Sequence, residues 1–207
     1  NSGRDADRMV YSMMTNCFIA TILTQEQVTV LKQHYSYRQR VEFVMVENFD
    51  NIGSKFVKAD SCEYGFTIVN EGAEEGNSMY FKIPHTDTSG TFECRTSDYY
   101  ELLDNGVNIL EISYKCNDYF SFGMFDIVEN ATSISGVRQH VYTFYPTNGN
   151  WRRIYIDLGY SVTNTSSTSN KFQPFILTYR QDSSPKNTDS EFYIDNIKLL
   201  HMQTGTN

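Results

Sequence analysis

The sequence predicts an all-β fold, a sandwich or barrel of short antiparallel strands. Its 207 residues include 15 Tyr and 14 Phe but only 4 Pro, and aromatic and β-branched residues favour strands. Several short runs alternate apolar with polar residues, as half-buried strands do. Clusters of turn-forming residues separate these runs at intervals of about 8–12 residues, the spacing typical of sandwiches and barrels. The length suffices for one good-sized β domain.

The net charge limits the classes of partner. Lys and Arg total 17 against 25 Asp and Glu, which gives a formal charge of -8. Such an acidic domain repels phosphate backbones, so nucleic acid is not an expected partner. No apolar run reaches the roughly 18 residues that a membrane-spanning helix needs. Residues 13–23 are interrupted by polar residues and do not resemble a signal peptide. We expect the polar residues 1–7 to be a solvated tail.

The cysteines do not indicate a metal or redox site. Cys17, Cys62, Cys94 and Cys116 are widely spaced and contain no C-x-x-C pair, which argues against zinc and thioredoxin-like chemistry. One or two disulfides are possible. Small buried thiols are the alternative that the wide spacing favours.

Residues 1–42 are predicted to form a tail with accessory strands, an N-terminal β extension of the main domain. Strand-like runs occur at residues 17–23, 28–31 and 41–46. A helix competes in the middle, because residues 24–27 have the capping-box pattern with Thr24 as the N-cap. Val28, Thr29 and Val30 are β-branched and favour a strand, which is the interpretation that we adopt for 28–31.

The middle of the chain predicts four strands, at residues 65–69, 78–83, 108–116 and 120–128. An acidic, glycine-punctuated loop at 70–77 separates the first two. The third alternates most regularly: Leu110, Ile112, Tyr114 and Cys116 share one face, and Glu111, Ser113 and Lys115 share the other. Asn117-Asp118 predicts a hairpin turn that pairs the third strand with the fourth.

Four more strands are predicted at residues 141–145, 151–158, 172–179 and 191–200. In the second, Ile154, Ile156 and Leu158 share one face, and Arg153, Tyr155 and Asp157 share the other. The last contains Asp195-Asn196, residue types that are depleted in strands. A half-buried carboxylate needs a metal ion, a positive group or backbone N–H donors to offset its desolvation.

The segments 47–50, 110–115, 151–159 and 192–199, in this order, resemble the galactose-binding-like jelly rolls of carbohydrate-binding modules. More specifically, they are similar to uncharacterised domains of surface lipoproteins from gut Bacteroidetes. The resemblance implies a jelly-roll β-sandwich of two antiparallel sheets over residues 43–202, followed by a tail at 203–207. It also implies non-catalytic polysaccharide binding at a bacterial cell surface. The protein would be exported to the outer membrane surface or the periplasm, lipid-anchored, and would pass polysaccharide to partner proteins.

The resemblance further implies a structural calcium ion that links the first strand to the last. By position, its ligands would be Glu47 or Asp50 together with Asp195. Hard Ca²⁺ takes several oxygen ligands, so carboxylates suit it. In the alternative, backbone N–H groups or a neighbouring Lys or Arg hold Asp195.

Modules of this kind stack aromatic rings on sugar faces, and the expected platform is the outward face of one sheet. With the aliphatic rows inside, the opposite residues would face solvent, and tyrosines of neighbouring strands would add to the surface. The candidate sugar-binding residues are Glu111, Lys115, Tyr142, Trp151, Arg153, Tyr155, Asp157 and Tyr179. In the alternative, most aromatic residues belong to the core and Trp151 anchors the sandwich edge.

Two other functions stay open. A structural or adhesive module would use its outward tyrosines to contact other surface proteins. A polysaccharide-cleaving hydrolase or lyase would need opposed carboxylates, or a Tyr and a His, in a cleft. The four histidines show no H-x-x-x-H spacing, and no G-x-S-x-G motif occurs. We therefore expect a protein that is not an enzyme.

Overall fold

The computed structural model describes residues 22–30, 41–51, 53–102, 106–129, 134–159 and 171–203. Within these residues the chain forms two antiparallel sheets of seven and six strands, packed face to face as a jelly-roll sandwich. The predicted fold class is therefore confirmed. No helix in this part of the chain is long and apolar enough to cross a bilayer.

The seven-stranded sheet contains the last strand of the chain near its centre. Its strands, in spatial order, are β1 (Ile22–Leu23), β11 (Arg152–Asp157), β8 (Gly106–Cys116), β13 (Ser190–Gln203), β5 (Ser78–Ile83) and β4 (Phe66–Val69). A further strand, β2 (Val41–Glu47), also pairs with β13.

The six-stranded sheet is built around two long strands from the second half of the chain. Its strands, in spatial order, are β10 (Ile134–Phe144), β9 (Phe120–Glu129), β12 (Lys171–Gln181), β6 (Ser89–Thr96) and β3 (Phe56–Lys58). The two-residue strand β7 (Tyr100–Glu101) pairs with β12.

Aromatic side chains join the two sheets. Phe81 of β5 lies between Phe92 of β6 and Phe192 of β13, with ring centroids 3.8 and 4.5 Å away. Tyr114 of β8 meets Phe120 of β9 edge-on at 5.7 Å. Aromatic pairs contribute about 0.5–1.5 kcal/mol each beyond their burial. The aliphatic rows predicted to be internal, Leu110 and Ile112 on β8 and Ile154 and Ile156 on β11, are buried in the same core.

Residues 25–30 are helical, so the strand predicted at 28–31 is wrong over its described part. The capping box is formed: the Gln27 N–H donates to Thr24 Oγ1 (3.2 Å), and the Thr24 N–H donates to Gln27 Oε1 (2.8 Å). This exchange satisfies two backbone N–H groups at once and outweighs the β preference of Val28 and Val30. Of the predicted N-terminal extension, β1 is a strand, and residues 1–21 and 31–40 lie outside the described part.

The hairpin predicted at Asn117-Asp118 is also wrong. β8 belongs to the seven-stranded sheet and β9 to the six-stranded sheet, so the turn crosses the sandwich instead of pairing its two strands. The Asn117 side chain holds this crossing: its Nδ2 donates to the Asp189 carbonyl (2.8 Å), and its Oδ1 accepts from the Glu191 N–H (2.7 Å). Alternation shows which face of a strand is buried, but it does not show which strand lies beside it.

Three strands, β3, β6 and β7, were not among the predicted elements. β6 has a readable pattern, because Phe92 and Cys94 are buried in the core while Thr91, Glu93 and Arg95 occupy the alternate positions. β3 and β7 have three and two residues, too few for any periodicity to be visible.

The Asp195-Asn196 pair marks a β-bulge in β13. The pairing register with β8 shifts between Asp195 and Lys198, and Asn196 has a φ of 49°. Asn adopts this left-handed conformation at lower cost than most residues, and bulges place one extra residue in a strand. The pair that is atypical of a strand therefore has a local structural reason.

Cys62, Cys94 and Cys116 are buried, unpaired thiols, as the favoured interpretation predicted for them. Burial raises the pKa of the Cys94 thiol well above its ordinary value, and that of Cys116 to about 12. These thiols therefore behave as small apolar side chains. Cys17 lies outside the described residues.

We predict that Gly123→Ala destabilises the sandwich. A Cβ at Gly123 of β9 would lie 2.2 Å from Phe175 Cζ and 2.6 Å from the Gln139 carbonyl oxygen, so both a buried ring and a neighbouring backbone must shift. Such overpacking costs about 1–3 kcal/mol, measurable by urea denaturation. Gly65→Ala is the matched control, because its nearest neighbour would be Lys58 Cδ at 3.7 Å. Equal effects of the two substitutions would contradict the prediction.

Candidate functional site

The surface predicted on the seven-stranded sheet is largely covered, with Arg153 as an exposed exception. Tyr155 of β11 and Glu111 of β8 face away from the core, as their positions in the alternation require, but are only 1% and 3% exposed. The expectation that they display their side chains to a ligand is wrong. Segments from distant parts of the sequence cover this outer face.

The helical residues 25–30 cover the Tyr155 end of the face. The Tyr155 hydroxyl lies 2.8 Å from Gln25 Oε1 and donates a hydrogen bond to it. Burial raises the pKa of the Tyr155 phenol, so it remains a neutral donor. Glu111 pairs with Lys198 of β13 at 3.0 Å, which compensates the buried carboxylate.

The acidic loop at residues 70–77 covers the other end. Its Gly72 carbonyl accepts hydrogen bonds from Lys115 Nζ (2.7 Å) and from Trp151 Nε1 (3.1 Å). Its Glu74 carboxylate pairs with Arg153 at 3.2 Å. These three predicted side chains hold a loop of the same chain in place.

Asp157, at the end of β11, is half-buried and accepts a hydrogen bond from the Gly159 N–H (2.8 Å). Burial raises the pKa of its carboxyl group. Asp157 therefore serves the local backbone and adds no open polar group to the predicted surface.

Tyr142 and Tyr179 lie on the opposite sheet, so the eight predicted residues do not form one surface. A bulge in β10 between His140 and Tyr142 changes the phase of the strand. Tyr142 consequently packs against the core, and burial raises its pKa. Tyr179 of β12, in contrast, is 70% exposed, and it lies on a face that the sequence did not identify.

The outer face of the six-stranded sheet, here called the open face, carries the exposed residues Arg138, His140 and Tyr179 and the buried side chains of Glu93 and Phe175. Cross-strand neighbours share a face in antiparallel sheets, and Phe172 and Ile176 of β12 lie in the core, so the alternate residues point outward. Two rows of residues cross β6, β12 and β9 in that order. The first row is Arg95, Phe175 and Gly123, and the second is Glu93, Leu177 and Ser121. From β10, Arg138, His140 and Thr143 lie beside Phe125, Gly123 and Ser121.

A groove with a volume of about 460 Å³ lies at one end of the open face. Three exposed tyrosines are here called the tyrosine rim. Tyr119 and Tyr179, 53% and 70% exposed, line the groove, and Tyr145, 54% exposed, adjoins Tyr119. Tyr119 and Tyr145 contact each other edge-on at 5.4 Å. Both apolar and polar side chains line the groove, among them Tyr119, Ser121, Thr143, Leu177, Tyr179, Gln181 and Arg180.

Arg180 fixes the end wall of the groove. Its guanidinium is buried and lies within 3.4 Å of Asp182 and 3.8 Å of Asp118, and Lys186 also pairs with Asp118. Its N–H groups donate to the carbonyls of Pro84 and Asp87 and to the Ser190 hydroxyl. One buried cation therefore ties together three loops, those that follow β5, β8 and β12.

A second group of charged and aromatic residues, here called the arginine cluster, crosses the middle of the open face: Glu93, Arg95, Phe125, Arg138 and Phe175. The Glu93 carboxylate accepts from Arg95 Nε (2.6 Å) and from Arg138 Nη2 (2.7 Å). Arg95 Cζ lies 4.4 Å from the centroid of Phe125, and Arg138 Cζ lies 4.9 Å from that of Phe175. Gly123 has no side chain, which leaves room for the Phe175 ring on the sheet surface.

The three carboxylates predicted as calcium ligands do not form a metal cluster. No group of three or more His, Cys, Asp or Glu side chains able to hold a metal occurs among the described residues. Glu47 already accepts from the N–H groups of Asn48, Phe49 and Lys55 at 3.0, 3.0 and 2.6 Å, and Ser54 Oγ lies 3.5 Å away. These donors occupy the lone pairs that an ion would need, so Glu47 does not fit a calcium site.

Asp50 and Asp195 make separate contacts. Asp50 accepts from the Asn77 N–H (2.8 Å) and from Asn48 Nδ2 (3.1 Å). Asp195 is fully buried, and its Oδ1 accepts from the Asn196 N–H (2.7 Å), which is one form of the alternative weighed for this residue. Among the described residues, its Oδ2 has no well-formed hydrogen bond. Burial raises the pKa of the carboxyl group to about 6, against the lowering effect of the Asn196 and Glu75 backbone and of Ser78.

The architecture is similar to solved carbohydrate-binding modules. The family 11 module of the cellulosomal cellulase Lic26A-Cel5E of Clostridium thermocellum is 16% identical, covers 82% of this chain and 100% of its own, and has a TM-score of 0.54. A family 11 module from the same organism, in complex with a β-1,3-1,4-mixed-linked tetrasaccharide, is 17% identical, covers 79% and 98%, and has a TM-score of 0.50. At these identities the likeness shows the fold alone.

A third similar structure is a family 29 module from Piromyces equi, which is 14% identical over 77% of this chain and 90% of its own. Its TM-score of 0.45 is too low to support a conclusion. No protein-family model matches the chain, and no curated protein matches its sequence.

We predict that Asp195→Asn stabilises the protein increasingly as the pH rises from 4 to 7. Because burial raises the pKa of Asp195 from 3.8 to about 6, the folded state binds this proton more tightly than the unfolded chain. The contribution of this group to the stability of the wild type is therefore lost as the pH rises from 4 to 7, and the Asn variant has no such contribution to lose. The difference in free energy of unfolding should grow by about 2 kcal/mol, measured by urea denaturation across this pH range.

The matched control is Asp60→Asn, which removes one negative charge from an exposed position. A difference between the Asp195 variant and the wild type that stays constant from pH 4 to 7 would contradict the prediction.

Proposed function

We propose that this protein is a non-catalytic carbohydrate-binding module whose ligand site is the open face. The observation that carries the proposal is the tyrosine rim, three rings more than half exposed beside a groove of about 460 Å³. Exposed rings clustered at a groove are unusual, and such clusters mark interaction sites.

The chemistry of the groove suits a sugar. Pyranose rings present apolar C–H faces, which pack on aromatic rings, and a ring of hydroxyl groups, which need donors and acceptors. The tyrosine rim supplies the aromatic rings. Donors and acceptors for the sugar hydroxyls come from Ser121, Thr143 and Gln181 in the groove lining. The similarity to family 11 modules supports the proposal at the level of the fold.

The carboxylates of the groove favour binding over catalysis. Burial alone would raise the pKa of Asp118, but hydrogen bonds from Lys186 and Ser190 outweigh it and lower the pKa. Asp182 pairs with Arg180. A glycosidase needs a carboxylic acid with a raised pKa as its general acid. Among the described groove residues, the paired carboxylates do not suit that role.

The proposal includes the cellular setting that the sequence resemblance implies. The module would act outside the cell, on a bacterial surface to which it is joined by a lipid anchor, and would retain polysaccharide for partner proteins there. The net charge of -8 keeps such a domain soluble.

A protein-interaction module is the second candidate. It is favoured by β2, which pairs with β13 and carries Phe43, 66% exposed, and the partly exposed Val44. Exposed apolar side chains on a strand can add to a partner's surface. This site lies on the seven-stranded sheet, so substitutions there and on the open face can separate the two functions.

We predict that Tyr179→Ala weakens polysaccharide binding about five- to tenfold, as expected for loss of one stacked ring. The measurement is affinity electrophoresis against a panel of neutral and acidic polysaccharides, followed by calorimetry with oligosaccharides of the retained polymer. Tyr99→Ala is the matched control, since Tyr99 is also an exposed tyrosine but does not line the groove.

Absence of retention on every polysaccharide, or equal losses in both variants, would refute the proposed function. Retention that Phe43→Ala abolishes and Tyr179→Ala leaves unchanged would move the site away from the open face.

A further inference from the structure

The arginine cluster places two accessible cations on the open face of an acidic protein. The side chains of Arg95 and Arg138 are 41% and 43% exposed, whereas that of Glu93 is 7% exposed. The chain as a whole carries a charge of -8. One carboxylate cannot neutralise two guanidinium groups, so the cluster keeps one unit of positive charge. The carboxylate is buried and the two guanidinium groups are exposed, so this positive charge faces solvent.

The two guanidinium groups are held in fixed positions. Arg138 reaches from β10 to Glu93 on β6, across β9 and β12. The ion pairs have donor–acceptor distances of 2.6 and 2.7 Å, and both guanidinium groups also lie over the ring of Phe125, at 4.4 and 5.2 Å. Contacts between guanidinium groups and aromatic faces are favourable. Neither side chain would need to be ordered when a ligand arrives.

Both arginines retain donors for a ligand. A guanidinium group has five N–H donors. Among the described residues, Arg95 uses Nε and Arg138 uses Nη2, and Glu93 is the acceptor of both. The remaining N–H groups belong to planar cations that match the geometry of a carboxylate, which accepts two parallel hydrogen bonds.

The cluster is continuous with the groove. Glu93 lies opposite Leu177 and Arg95 opposite Phe175 in the pairing of β6 with β12, and Leu177 lines the groove. Tyr179 is four residues from Phe175 along β12, a distance of about 13 Å at the rise of a strand. An extended ligand stacked on the tyrosine rim can therefore reach the arginine cluster.

We propose that the arginine cluster is a subsite for an anionic group of an acidic glycan, with the carboxylate of a uronic acid as the group it fits best. This inference rests on the proposed function, because it names the substrate class of the same face. A sulfate ester would supply the same chemistry from another source. A neutral glycan would leave the positive charge of the cluster unmatched.

The test compares each acidic polymer with its own neutral form. The ligands are alginate and polygalacturonate, each before and after chemical reduction of the carboxyl groups, and a sulfated galactan before and after desulfation. Dissociation constants are measured at low and high salt for the full chain. We expect at least one native uronate polymer to bind about tenfold more tightly than its reduced form, because the reduced form cannot accept charge-assisted hydrogen bonds from the arginines. The preference should shrink at high salt.

The variants assign the preference to the cluster. Arg138→Gln, on the edge strand β10, should remove most of the preference for the native polymer and leave affinity for the reduced polymer within about twofold. Arg138→Lys keeps the charge without the planar donors and should retain part of the preference. Arg152→Gln, an exposed arginine of β11 on the other sheet, is the matched control and should retain all of it. Urea denaturation establishes that each variant is folded.

The outcomes separate this inference from the proposed function. Equal binding of native and reduced polymers, sensitive to Tyr179→Ala, would overturn the acidic subsite and leave carbohydrate binding intact. If Arg138→Gln leaves the preference for the native over the reduced polymer unchanged, the acidic subsite is also overturned. The cluster would then have the structural role of shielding the Phe175 ring from water. A preference confined to the sulfated polymer would keep the anionic subsite and replace the uronate with a sulfate ester. Failure of these polymers alone, with another polysaccharide of the panel still retained, would overturn the acidic subsite and leave carbohydrate binding intact. Failure of the whole panel would overturn both proposals.

Discussion

The stack of Phe192, Phe81 and Phe92 is the interaction on which the sandwich depends. Phe81 and Phe192 belong to one sheet and Phe92 to the other, so the stack fixes how the sheets face each other. It also fixes the phase of each strand that contributes to it, because side chains alternate with a period of two. With Phe92 inside, Glu93 must lie outside, one residue further along β6. The open face is therefore a consequence of the core.

In both sheets, strand alternation sets which residues face outward, but the two outer faces differ in their exposure to solvent. On the seven-stranded sheet, residues 25–30 and the loop at 70–77 cover Tyr155, Lys115 and Trp151. These contacts satisfy phenol, ammonium and indole donors within the chain, which leaves few groups for a ligand. On the six-stranded sheet, the tyrosine rim remains more than half exposed. The tyrosine rim therefore lies on the sheet that these two segments do not cover.

The sequence was sufficient to predict most of the longer strands and their buried rows, because alternation reports burial directly. It predicted Leu110, Ile112, Ile154 and Ile156 in the core, and they are there. It could not identify the open face, since whether an outward residue meets solvent depends on segments far away in the chain. Tyr155 is the example: its outward direction was predicted correctly, and Gln25, 130 residues earlier, covers it.

The other differences between the predicted and the observed structure divide into those with a signal in the sequence and those without one. The capping box at Thr24 is visible in the sequence, and its reciprocal hydrogen bonds outweigh the β preference of the branched residues that follow. The outward Glu93 and Arg95 of β6 follow a regular alternation that no predicted strand included. The bulge that turns Tyr142 inward had no such signal, because an inserted residue in β10 appears only once the pairing with β9 is known.

The buried guanidinium of Arg180 has a consequence for the thermodynamics of recognition. It joins three loops at the end of the groove, so their relative positions are set when the domain folds. Flexible loops would lose conformational entropy when a ligand binds, but these three loops have already lost it on folding. Association at this end should therefore be governed by the match between rigid shapes, with a small entropic penalty from the protein and steep discrimination against ligands whose branching does not fit.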